Sequence, residues 1–390
     1  MKKTLLATAI AGTMAASGAQ AATVYDQDGT SLDLYGRLAY AVQTGGPEGE
    51  EGTKTDGSEF VDLGSRFGFI ANHEVTRDLS TFARMEFRGK ADARNGNSTS
   101  TNDAGDVDGV DFGGFDTIRN TYVGVKSDSW GAVQVGNFDS IMYQNVTVIQ
   151  DVPEANGATN IDFGNVAAHG DSIQYSSPMM EGFQAKVAAK HLSGNTDDTS
   201  GADDTGSTTS WHAGVSYEWE DLYLGAAYNQ AKQVGENDTA SYDGEGAKDF
   251  SEDLWGVVAQ YGFTDNFSAR ISYQEAGDIT ASQDEIQTDS DGDPTDPSFE
   301  IDNLVGIGAT YDYGMGEIYG DYYHVEMIDS RVDDQNRFVL GANYRFSEPM
   351  YVFAEAYQED NSTSADDSLT ENFRNLDDEV QYTVGVRYDF

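Results

Sequence analysis

Apolar and polar residues alternate one by one through much of this chain. The last block is the clearest. Val380, Tyr382, Val384, Val386, Tyr388 and Phe390 take the even positions, and Gln381, Thr383, Gly385, Arg387 and Asp389 the odd ones. A period of two belongs to the β-strand, whose successive side chains point to opposite faces. From Leu32, the residues Leu32, Leu34, Gly36, Leu38, Tyr40 and Val42 share one face, and Asp33, Tyr35, Arg37, Ala39, Ala41 and Gln43 the other. From Leu79, Thr81, Ala83, Met85 and Phe87 alternate with Arg84, Glu86 and Arg88. Around Asn336, Phe338, Leu340, Ala342, Tyr344 and Phe346 alternate with Arg337, Val339, Gly341, Asn343 and Arg345.

The punctuation between strands comes in two kinds. Short turns lie near 76–78, 127–129, 178–182, 218–221, 263–266, 312–315 and 347–349. Long, mostly polar and acidic stretches lie near 45–58, 92–115, 139–170, 193–209, 232–252, 276–301, 327–335 and 359–379. The two kinds alternate strictly, seven short and eight long, which makes sixteen strands with both chain ends on the short-turn side. An even strand count, short turns at one end and long loops at the other predict an all-β fold, a closed antiparallel transmembrane β-barrel with short periplasmic turns and long external loops. Arg or Lys on the lipid face near mid-membrane costs about 2–4 kcal/mol, so the charged face of each strand must look inward. Eight strands would fill their interior with side chains, whereas sixteen leave an aqueous channel.

The N-terminus reads as a processing signal. Lys2 and Lys3 precede an apolar stretch from Leu5 to Ala16 and a small-residue cleavage site at Ala19-Gln20-Ala21. Residues 1–21 are therefore expected to be a cleaved signal peptide and residues 22–390 one barrel domain. The apolar stretch falls short of the ~20 residues a spanning helix needs, and no other run approaches that length. There is no Cys, so the exported chain relies on backbone pairing and packing. The formal net charge is -46, which makes nucleic acid a poor partner, because phosphate binding needs clustered Lys and Arg.

The few basic residues are unevenly spread. Arg37, Arg66, Arg84, Arg88, Lys90, Arg94 and Arg119 crowd into the first four strands and their flanks. By strand parity Arg37, Arg66, Arg84, Arg88 and Arg119 share the inward face, as a basic ladder on one wall, with Glu86 in the same set. The third long stretch differs from the other seven. It carries Ile141, Met142, Tyr143, Val146, Val148 and Ile149 and few charges, so it is expected to seek burial inside the barrel. Folded there it would narrow the bore and set Asp151 and Glu154 opposite the arginines. Facing rows of opposite charge give a transverse field that sorts solutes by charge and polarity.

In these features the chain resembles the general diffusion porins of Gram-negative bacteria. The residues that carry the likeness are Leu32-Asp33-Leu34-Tyr35-Gly36-Arg37, Arg66-Phe67-Gly68-Phe69, Arg119, Asp151-Val152-Pro153-Glu154 with Gly157, and Tyr382 to Phe390. The resemblance implies a homotrimer in the outer membrane, a constriction formed by the third loop, and passive diffusion of ions and small hydrophilic solutes. It implies a basic side of the constriction at Arg37, Arg66 and Arg119, to which parity adds Arg84 and Arg88. The acidic side falls at Asp151 and Glu154, with Glu86 assigned to it as well. Tyr388 and Phe390 match the terminal signal for the barrel-assembly machinery. Where the family has Pro-Glu-Phe-Gly-Gly-Asp, this chain reads Pro153-Glu154-Ala155-Asn156-Gly157-Ala158, and Ala168-His169 stands where a basic residue often follows.

No catalytic motif is legible, so no enzyme is expected. His73, His169, His191, His212 and His324 show no paired metal spacing, and no cofactor is expected. Asp289-Ser290-Asp291-Gly292-Asp293 misses the spacing of a calcium loop. Its expected role is loose divalent-cation binding at the external loops, with bridging to lipopolysaccharide. Two alternatives stand beside the general channel: a substrate-selective channel, and a surface adhesin or structural protein acting through its acidic loops.

Overall fold

A computed structural model of the protein describes residues 21–44, 58–89, 97–101, 107–112, 117–155, 157–161, 170–192, 208–233, 250–277, 301–327, 334–360 and 380–390. The segment read as a signal peptide (save Ala21), Lys90, Arg94, Ala168-His169 and the Asp289–Asp293 stretch lie outside the described residues.

The architecture is a closed, all-antiparallel barrel of sixteen strands. Each wall strand pairs with the next along the chain, from Thr30–Thr44 through Arg66–Glu74, Leu79–Arg88 and Thr117–Ser127 onward. The terminal strand Gln381–Asp389 returns to pair with Thr30–Thr44 and closes the ring. Short turns join the strands at one end, at the places their sequence signals predict.

One element was not anticipated. Ala22–Gln27 is a strand that forms a hairpin with Thr30–Thr44. Asp28 and Gly29 make the turn with φ of 52° and 74°. Two consecutive positive φ values are what a two-residue turn between twisted strands demands, and Asp-Gly is the pair that tolerates them best. This strand pairs with the same edge of Thr30–Thr44 as the terminal strand does, beginning near the residue where the chain ends. Ala22–Gln27 and the terminal strand thus share one line of the wall, Ser58–Asp62 and Arg66–Glu74 share another, and sixteen lines hold eighteen described segments.

Strand faces follow the alternation read from sequence. In Thr30–Thr44, Tyr35, Ala39 and Ala41 are buried inward while Leu38 and Val42 are exposed outward. Leu340, Phe346 and Val384 are more than 60% exposed, as suits a wall that faces lipid. Trp130, Trp219, Phe263, Phe267, Tyr311, Tyr313, Tyr344 and Phe346 gather near the short turns as an aromatic girdle at one membrane interface.

Candidate functional site

The third long connection turns into the bore. Ser140 caps a single helical turn, Ile141–Asn145, by accepting a bond from the Tyr143 amide at 3.0 Å, and a short 3-10 turn, Thr147–Ile149, follows. Ile141, Met142, Val146, Ile149 and Ile161 then pack on inward residues of the wall, among them Tyr223, Leu254, Val258, Leu304, Tyr323 and Val325. The wall makes room for the loop. A Cβ at Gly225 would stand 2.0 Å from the Asn145 carbonyl oxygen.

Polar anchors fix the loop along its length. Tyr223 Oη donates to the Asn145 carbonyl at 2.9 Å, and Lys186 Nζ to Asn145 Oδ1 at 2.9 Å. Gln150, fully buried, donates to Ser272 Oγ at 2.9 Å and accepts from Arg270 Nε at 3.0 Å. Further on, the amides of Glu154 and Ala155 donate to the two carboxylate oxygens of Glu355 at 2.5 and 2.9 Å. Tyr319 Oη holds the same carboxylate at 2.5 Å. The loop therefore runs round the inner wall to the closing seam, and beyond it Arg337 Nη1 donates to Thr159 Oγ1 at 3.3 Å and the Ile161 amide to Gln274 Oε1 at 3.3 Å.

The basic ladder stands on the first strands. Arg37 lies opposite Arg66, and Arg66 opposite Arg88, in one row across three neighbouring strands. Like charges in such a row need compensation, and Glu86 supplies it. Its carboxylate, 0% exposed, takes Arg84 Nη2 at 2.9 Å, Arg119 Nη1 at 3.1 Å and Arg66 Nη1 at 3.8 Å. Tyr35 Oη adds a bond at 2.9 Å. Glu86 thus sits within the basic wall and not across from it, which corrects its assignment to the acidic side. A β-bulge opposite Glu86 helps, because residues 119 and 120 face it together and Arg119 is aimed inward. Arg119 Nη2 also reaches Asp139 Oδ1 at 3.3 Å, tying the basic wall to the root of the loop. Arg88 is exposed to the bore.

The two loop acids differ. Asp151 is exposed and accepts from Tyr143 Oη at 2.6 Å, and burial, then Asp151 itself, pushes the Tyr143 hydroxyl up. Glu154 is drawn to the seam, where Arg387 Nη1 meets Glu154 Oε2 at 3.0 Å and Tyr351 Oη donates to the same carboxylate. Asp389 joins the set, taking Arg387 Nε at 2.8 Å and Arg37 Nε at 3.0 Å. Burial pushes the Glu154 carboxyl up to about 7, against the pull of Tyr351 and Arg37. Glu154 therefore faces the seam, a short step from Arg37, while Arg66, Arg84, Arg88 and Arg119 gather around or beside Glu86.

Sequence reading missed Arg387, Asp389, Glu355, Arg270 and Asp321. Parity had already placed Arg387 and Asp389 on the polar face of the last strand, and that signal was sufficient to find them. Nothing local marks Glu355 or Asp321, whose partners lie on other strands and on the loop. Tyr388 turns outward. Phe390 seals the seam, its amide donating to the Gly36 carbonyl at 3.0 Å and its carbonyl accepting from Gly36 at 2.7 Å.

Comparison with known proteins agrees with this geometry. The family model described as Gram-negative porin matches residues 7–364. A monosaccharide porin from a Halomonas species is 29% identical over 386 aligned residues, covering 91% of this chain and 94% of its own. Outer membrane porin F of Salmonella typhi is 24% identical over the full length of both chains. Among solved structures, Salmonella typhi OmpF in complex with daunomycin superposes with a TM-score of 0.65 at 18% identity, over 95% of this chain and 100% of that one. An anion-selective porin from Comamonas acidovorans gives 0.62 at 17% identity, over 93% and 100%. The chain belongs to the Gram-negative porin family and is an outer-membrane channel for passive diffusion.

Proposed function

We propose that this channel is a general one, passing ions and small hydrophilic solutes by size and charge, without catalysis and as a homotrimer. One observation carries the reading: a tethered loop crosses the inner wall and brings carboxylates into the same enclosure as a row of arginines. A fixed field across a water-filled passage needs no binding step and no reacting group. Arg37, Arg66, Arg84, Arg88 and Arg119 form its basic side, and Asp151 with Glu154 its acidic side. The inner charges nearly balance, so the net charge of -46 acts chiefly at the mouths and enriches cations there. Tyr388 and Phe390 serve as the recognition end for the barrel-assembly machinery. The acidic external loops bind divalent cations loosely and through them contact lipopolysaccharide.

Planar-bilayer recording tests the reading. Conductance should rise linearly with salt, open in three equal steps per inserted unit, and give a reversal potential on the cation side. Saturation with salt, or a clear anion preference, would refute it. A second reading is favoured by the relative named a monosaccharide porin. A sugar-selective channel would show saturable block by a monosaccharide, and a general one none.

A further inference from the structure

We propose that Arg387 is a specificity-determining residue of the channel: by pairing with Glu154 it cancels the charge of the loop glutamate and leaves Asp151 as the loop's active carboxylate. The inference deepens the proposed selection by inner charges and rests on it.

Arg387 Nη1 lies 3.0 and 3.3 Å from the two oxygens of Glu154. Its Nε is bound to Asp389 Oδ2 at 2.8 Å, and the other Asp389 oxygen takes Arg37 Nε at 3.0 Å. Arg37, Asp389, Arg387 and Glu154 therefore form one bonded chain whose charges cancel while Glu154 is ionised, and the Glu355 carboxylate lies beside it on the Glu154 amide. Further geometry keeps Arg387 in place, since its guanidinium carbon lies 5.4 Å from the centre of the Tyr351 ring, and the Tyr351 hydroxyl binds Glu154. Asp151 is differently placed. It is exposed and accepts from the neutral Tyr143 hydroxyl at 2.6 Å. Two loop acids three residues apart are thus unequal: a passing ion meets the full field of one and only the dipole of the other.

The test is the reversal potential of the full-length protein in a potassium chloride gradient. Arg387→Gln should raise the cation-to-anion permeability ratio about twofold, the effect of one unit charge acting through water over several ångströms. Glu154→Gln should lower it by a similar factor, and the double variant should return to the wild-type value. Arg387→Lys, which keeps the charge, should stay near wild type. Equal shifts for Arg387→Gln and Arg387→Lys, or no shift for Arg387→Gln, overturn the proposal. If Arg387→Gln does not assemble, Glu154→Gln decides alone, and an unchanged ratio overturns it. Arg66→Gln with Arg88→Gln tests the broader reading separately. If these shift the ratio while the seam variants do not, only the role of Arg387 fails; if none shifts it, selection by inner charges fails as well.

Discussion

Arg270 and Asp321 form a buried two-pronged ion pair across an intervening strand. Arg270 Nη2 lies 2.6 Å from both carboxylate oxygens, and both side chains are at most 1% exposed. The pair also serves the loop, because Arg270 Nε donates to Gln150 as well. Removing one partner leaves a buried charge without its counter-ion, which typically costs about 3–5 kcal/mol. Asp321→Ala should lower stability by that order, seen as a shifted denaturant midpoint in detergent, and should make the open-channel current noisier as Gln150 loses its anchor. Replacing both with apolar residues, Arg270→Met with Asp321→Leu, should cost less than the single change. A single variant as stable as wild type would contradict this account.

Gly225 tests how closely the loop hugs the wall. A methyl group there would meet the Asn145 carbonyl oxygen at 2.0 Å, and a backbone atom cannot swing aside. Gly225→Ala should push the loop toward the axis of the bore, at about 1–3 kcal/mol for overpacking. Single-channel conductance is expected to fall while the barrel still forms. Unchanged conductance would mean that the loop does not press on this strand.

Much of this molecule is legible in the sequence, for a physical reason. Lipid outside and water inside impose opposite demands on successive residues, so Leu38 and Arg37 declare their faces by type alone. Loop insertion was legible too, because Ile141, Met142 and Val146 have no other apolar place to go. What escaped was pairing between distant positions. Glu86 reads as one more inward acid until the register sets it among Arg66, Arg84 and Arg119. Glu154 reads as opposing the ladder until Arg387, 233 residues away, is seen to hold it. The hairpin at Asp28-Gly29 is a different case: its turn chemistry is in plain sight, but the six residues before it alternate too weakly to declare a strand.

Glu154 also sets a pH dependence. It lies on the loop, outside the spanning strands, and burial lifts its carboxyl from 4.5 to about 7. Below that point the side chain is neutral and Asp389 alone faces both Arg37 and Arg387, which leaves one positive charge in excess; above it the pair is closed. The cation-to-anion permeability ratio should therefore fall as pH drops from about 8 to about 6, centred on the lifted value. Stability runs the other way. A carboxyl that holds its proton more tightly when folded favours the fold at low pH, and this contribution is lost as pH rises through about 7. Glu154→Gln should flatten the step in reversal potential. A step that persists in that variant assigns the titration to another group.

Phe390 separates closure of the wall from recognition of its last strand. Its backbone exchanges two bonds with Gly36, at 2.7 and 3.0 Å, where the first and last strands meet. The ring stacks beside Tyr388, with centroids 6.1 Å apart. Phe390→Ala keeps the two backbone bonds and removes the ring, whereas deleting Phe390 removes both. Each lost backbone bond is worth about 1 kcal/mol net. In detergent refolding from the denatured chain, where no assembly machinery acts, deletion should lower stability by about 2 kcal/mol more than Phe390→Ala. In cells, if the ring is what the assembly machinery reads, Phe390→Ala should already cut the amount reaching the outer membrane as severely as deletion does. Equal refolding of both variants would show that the Gly36 bonds do not secure the seam, and normal cellular yield of Phe390→Ala would remove the ring from the recognition signal.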